Sequence, residues 1–132
     1  MTVQFDRDRI SAQADLFFSV RKLLLEYEEI WEVKKQNITS YFCKEGGICY
    51  LRVKDDVLIV GLFQGICLEE IYDLVPEKAK QIRHLNYKNE AAFEPDFFHN
   101  IIKDSMICAM QRKERAALKR KLRQKSSNQE FG

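Results

Sequence analysis

Between Asn37 and Ile66 the apolar residues come in three short runs, Asn37–Cys43, Gly47–Val53 and Asp56–Phe63, separated by the turn residues Glu45-Gly46-Gly47 and Lys54-Asp55-Asp56. The runs are rich in β-branched and aromatic side chains, and glycine and Asp tolerate the positive φ that tight hairpins need. This pattern predicts an antiparallel meander. In the second run Cys49, Leu51 and Val53 alternate with Ile48, Tyr50 and Arg52, and in the third Leu58, Val60 and Leu62 alternate with Val57, Ile59 and Phe63. Neither face is cleanly polar, whereas an antiparallel sheet normally shows one face to water. Helices are therefore expected on one side, and a C-terminal helix, a second subunit or a ligand over part of the other.

On either side of the meander the period lengthens. From Asp6 to Trp31 apolar residues recur every three or four positions (Ile10, Phe17, Val20, Leu24, Tyr27, Trp31), which predicts one long amphipathic helix. Gly65–Ile71 reads as a turn into a short helix or irregular crossing that ends near Pro76, and Lys80–Tyr87 as a fourth strand. Pro95 suits the first turn of a closing helix whose stripe is Phe98, Ile101, Ile102, Ser105, Cys108 and Ala109. The expected fold is α+β: an antiparallel sheet of about four strands packed against an N-terminal and a C-terminal helix. One domain spans 1–110, and 111–132 forms a basic C-terminal helical extension with a frayed tail. At 132 residues and 45% hydrophobic, the chain suffices for one core.

Charge changes the picture at the C-terminal end. Arg112–Lys125 holds eight Lys or Arg against one Glu, a net +7, so against a total of +2 the remaining residues sum to −5. An acidic body carries a basic helix end, whose charges suit the helix dipole and could also touch the phosphates of nucleic acid. No aromatic residue from Arg112 to Gln129 is available to stack on bases, so such contact would be nonspecific. No apolar run approaches the ~20 residues that cross a bilayer.

The cysteines Cys43, Cys49, Cys67 and Cys108 lack C-x-x-C spacing, and the opening MTVQFDRDRI has neither the basic nor the apolar region of a secretory leader. Four buried thiols in a reducing cytoplasm are expected. Cys43 and Cys49 face each other if the hairpin loop is Glu45–Gly47.

Two constellations have candidate chemistry. Glu26, Glu28, Glu29 and Glu32 form i, i+3 and i, i+4 pairs adequate for loose binding of a hard cation such as iron, though an ordinary solvated helix face is much the commoner origin of such a cluster. Tyr50, Arg52, Arg83 and Tyr87 are strand residues that would receive an anionic or aromatic ligand if the open sheet face forms a pocket, the Arg fork matching a carboxylate or phosphate. Cross-strand pairing of Arg with an acid or aromatic is the alternative. Catalysis has little footing: His84 and His99 sit in no recognisable motif, and Gly61-x-x-x-Gly65 lacks the Lys-Ser/Thr of a phosphate loop.

Several of these stretches together resemble the YdhG-like family of small domains of unknown function, some of them described as frataxin-like iron chaperones. The matching residues are the leading helix ending near Trp31, Tyr41-Phe42 with Gly47-Ile48-Cys49-Tyr50-Leu51, Val60-Gly61-Leu62-Phe63-Gln64-Gly65, Lys80-Gln81-Ile82-Arg83-His84-Leu85 and the helix from Pro95. The likeness spans roughly Phe5–Met110 and departs where the family has an aromatic-Gly-x-Pro lead-in and this chain has Ile38-Thr39-Ser40-Tyr41. It implies a compact α+β domain. Residues and resemblance together lead to a small cytoplasmic binding or interaction domain without catalysis, with an unknown protein or small-molecule partner or as a homodimer, and with no membrane association and no cofactor. The alternatives are frataxin-like weak iron binding on the acidic helix face and nonspecific nucleic-acid contact through the basic helix.

Overall fold

The computed structural model of the chain describes residues 3–76 and 81–130, the side chains of 126–130 excepted. In chain order the elements are α1 (Gln4–Asp8), α2 (Ala14–Leu25), β1 (Trp31–Lys34), β2 (Thr39–Cys43), β3 (Gly46–Lys54), β4 (Val57–Leu62), α3 (Gly65–Leu68), β5 (Val75–Pro76), β6 (Arg83–Tyr87) and α4 (Pro95–Glu130). The expected α+β class holds, with six antiparallel strands in place of about four, ordered β1-β2-β3-β4-β6-β5.

The two added strands come from segments read otherwise. The predicted helix Asp6–Trp31 breaks between α1 and α2, leaving Ile10 81% exposed, and ends at Leu25. Glu26, Glu28 and Glu29 would place like charges against the negative end of a continuing helix. Trp31-Glu32-Val33-Lys34 then alternates with period two and pairs with β2. β5 is only two residues long. The fourth predicted strand is seen as β6 from Arg83; Lys80, where it was expected to begin, lies outside the described residues.

The turns set the register. Asp55 and Asp56 both have positive φ (52° and 58°), the backbone of the two-residue hairpin turn that matches sheet twist. Between β2 and β3 the loop is Lys44-Glu45 and Gly46 already belongs to the strand with φ 153°, so Cys43 stands opposite Gly46 and Cys49 opposite Tyr41. The two thiols therefore do not face each other. Ile48 is the extra residue of a bulge between the Tyr41↔Cys49 and Phe42↔Gly47 pairs, and it is buried.

Cys49, Leu51, Leu58, Val60 and Leu62 share one sheet face and form a single core with Phe17, Val20 and Leu24 of α2 and Phe98, Ile101 and Ile102 of α4. Cys43 and Cys49 are buried free thiols as expected, but Cys67 and Cys108 are joined in a disulfide between α3 and α4. Such a bond is uncommon in a reducing compartment. α4 runs without a break from Pro95 to Glu130, so the basic stretch beyond 110 continues the helix that packs on the core. Phe131 and Gly132 lie outside the described residues.

One buried carboxyl ties the N-terminus to the sheet. β2 pairs with β3 only as far as Thr39↔Leu51, and Asp8 Oδ1 takes the Val53 N–H beyond that point at 3.1 Å, along with Gln4 Nε2 at 2.6 Å. Burial raises the Asp8 carboxyl above its ordinary 3.8, against those hydrogen bonds. The folded state thus holds this proton longer than the unfolded chain, and stability falls as pH rises from 3.8 through the raised value. Asp8→Asn is expected to flatten that part of the profile; parallel urea-midpoint profiles for the two proteins between about pH 3 and pH 8 would count against it.

Candidate functional site

The sheet face turned away from the helices carries the site. Ser40, Tyr50, Gly61 and His84 stand in one cross-strand row, and Arg52, Ile59 and Asn86 in the next. Along this face aromatic rings follow one another from strand to strand. Trp31 stacks on Phe42 (centroids 6.3 Å, planes 29° apart), Phe42 on Phe63 (5.9 Å, 14°), Phe63 meets Tyr50 at 5.7 Å, and Tyr50 meets His84 edge-on at 5.9 Å. Trp31 is 50% exposed and the other four rings are half-buried.

The backbone makes room for these rings. A Cβ on Gly61 would stand 2.0 Å from the Tyr50 ring, and one on Gly47 2.6 Å from the Phe63 ring. Glycine at these two positions lets the aromatics lie down on the sheet. Tyr50 Oη and His84 Nε2 are 2.7 Å apart, which fixes that end of the ribbon. Positive groups border the other end: Lys35 Nζ lies 5.3 Å from the Phe42 centroid. Phe42, Gly47, Phe63, Gln64, Ile82 and Arg112 line a shallow depression of about 450 Å³, in which the ribbon meets the basic part of α4. A second hollow of about 290 Å³ adjoins it, sharing Phe63 and Arg112 and adding Arg115, Glu70 and the Cys67–Cys108 bond.

The structure divides the four residues expected to bind a ligand. Tyr50 and Arg52 lie on the open face. Arg83 pairs opposite Leu62 and Tyr87 opposite Leu58, both on the helix-covered side. Arg83 holds Glu69 through Nε at 2.7 Å, and Tyr87 is buried edge-on to Phe93, where burial pushes its hydroxyl up to about 12. His84, one residue from Arg83, is the β6 side chain that joins Tyr50. Its neighbours Phe42, Phe63 and Trp31 are missing from the predicted set, because recognising them requires the bulge and the β1–β2 register.

The four carboxylates expected to hold a cation do not converge. Glu26, Glu28 and Glu29 are exposed after the end of α2, while Glu32 points from β1 to Arg21 (Nε–Oε2 2.7 Å) and accepts the Tyr41 hydroxyl at 2.8 Å. Among the described residues no three His, Cys, Asp or Glu side chains are grouped so as to hold a metal ion. His99, the other imidazole, lies 2.7 Å through Nδ1 from Tyr27 Oη at the α2–α4 junction.

No family model matches the chain, and neither a curated protein nor a solved structure does. No helix among the described residues is long and apolar enough to cross a membrane.

Proposed function

We propose that this protein is a small non-catalytic binding domain whose ligand surface is the open sheet face, and that it is a YdhG-like domain. The observation that carries the reading is the continuous, partly exposed aromatic ribbon from Trp31 to His84, seated over Gly47 and Gly61. Rings held against a rigid sheet offer flat apolar area with little side-chain entropy left to lose on binding. Bordering cations at Lys35 and Arg112 favour a planar ligand that carries negative charge.

Trp31, the only tryptophan, sits on the ribbon and reports on it. Titration with a panel of planar aromatic compounds, neutral and anionic, is expected to shift or quench its emission saturably, with the anionic members binding tighter. Emission indifferent to the whole panel would end the reading. A mass of twice 15.6 kDa in light scattering, lost on Phe42→Glu, would instead give the face to a second copy of the chain.

Iron binding on the acidic residues is the weaker reading, since Glu32 is already engaged by Arg21 and Tyr41.

A further inference from the structure

We infer that the open face and the basic half of α4 together bind single-stranded nucleic acid, the bases lying on the aromatic ribbon and the phosphates running onto α4. This rests on the reading of the open face as the ligand surface and names the ligand's class. The basic stretch by itself offers phosphate contacts without base recognition, and the ribbon by itself offers stacking without charge. The fold joins them at Arg112, which lines the depression beside Phe42 and Phe63 and is the first of the eight Lys and Arg of Arg112–Lys125.

α4 leaves the domain here. Lys113 Nζ lies 3.5 Å from Glu45 in the β2–β3 turn, so the helix passes the end of the sheet where the ribbon's stacked rings are. Beyond it every residue from Glu114 to Lys125 is exposed except the half-buried Ala117. At 1.5 Å per residue, Arg112–Lys125 extends about 20 Å past that point with eight positive charges against the single negative charge of Glu114. A flexible polyanion with unpaired bases can meet both features at once. Duplex DNA keeps its bases stacked inside and offers the rings nothing to stack on. A net +7 on this segment against −5 over the rest of the chain directs the strand toward the ribbon end of α4.

The test uses the full chain and labelled oligo-dT and oligo-U of about twelve nucleotides, followed by anisotropy and by Trp31 emission. Binding is expected at low salt with quenching of Trp31, and the two strands show whether the 2′-hydroxyl matters. Phe42→Leu with Phe63→Leu, which keeps apolar bulk but removes the rings, is expected to weaken binding about 10-fold or more. Arg112→Glu with Arg115→Glu, both exposed and remote from the core, is expected to weaken it and to lower the salt slope by about 1.4, at about 0.7 for each lost phosphate contact. Unchanged thermal unfolding of the second pair shows that the fold is intact.

Equal binding of heparin and of the oligonucleotides, unaffected by the ring substitutions, overturns the inference in favour of a plain polyanion contact. Absence of oligonucleotide binding at low salt also overturns it. If Trp31 still responds to planar aromatic compounds in that case, the open-face reading stands alone; if it responds to neither, both fall.

Discussion

Replacing Tyr41 by alanine is expected to cost about 3–5 kcal/mol, the range for removing a large buried aromatic side chain. Replacement by phenylalanine is expected to cost about 1.5–3 kcal/mol, the range for a hydrogen bond to a charged group. Tyr41 is fully buried, and its hydroxyl donates to Glu32 Oε2, the same oxygen that receives Arg21 Nε, while Arg21 Nη2 reaches Oε1 at 3.0 Å. Phenylalanine keeps the packing and removes one of three donors. Alanine also opens a cavity beneath the β1–β2 pair. Burial alone would raise the Glu32 carboxyl, but the hydrogen bonds from Arg21 and Tyr41 outweigh it and hold the group below its ordinary 4.5.

The sign of the pH effect follows from that depression. The stabilisation is fully present above pH 4.5 and is lost as pH falls through the lowered folded-state value. Tyr41→Phe should therefore differ most from the parent near neutral pH and converge on it in acid. Denaturant unfolding at about pH 7 and about pH 3 checks both points. A Phe variant within about 0.5 kcal/mol of the parent at neutral pH would show that the hydroxyl contributes nothing.

Glu32 also shows why the sequence was legible in some places and misleading in others. Its spacing from Glu26, Glu28 and Glu29 is a helix pattern only if the helix continues, and one change of period, from 3.6 to 2, moves Glu32 into a strand and toward Arg21. The central meander was readable because its signals are local: Asp55-Asp56 specify their own turn, and alternation along β3 and β4 separates core from open face. The over-apolar second face was readable too, since Tyr50, Ile59 and Phe63 can be counted on it. Which residues meet there was not. The bulge at Ile48 shifts Phe42 opposite Gly47, and the Lys44-Glu45 loop sets that register three residues away from where the glycines suggested it. Arg83 and His84 occupy adjacent positions on opposite faces, so an error of one residue in β6 exchanges a partner of Glu69 for a partner of Tyr50.

The link between α3 and α4 had no local signal, and breaking it has the second largest expected effect. Reducing the Cys67–Cys108 bond, or replacing both cysteines by alanine, is expected to lower stability by about 2–4 kcal/mol, because the bond closes a loop across 41 positions and restricts the unfolded chain. α3 is a single turn of helix, too short to persist by its own hydrogen bonds. In the folded protein Leu68 anchors it in the core, while Tyr72, just after it, donates to Asp104 on α4, burial and then the Asp104 carboxylate raising that phenol to about 12. Those contacts keep α3 docked after reduction, so the loss should appear as a shifted global midpoint rather than as a separate early transition. Urea unfolding with and without a thiol reductant, on the parent and on the Cys67→Ala/Cys108→Ala protein, checks this. Reductant should move the parent to the variant's midpoint and leave the variant where it was, and a parent indifferent to reductant would show that the bond does not form in solution. Because Cys108 lies one helical turn before Arg112, the same bond holds the root of the basic segment beside Phe63.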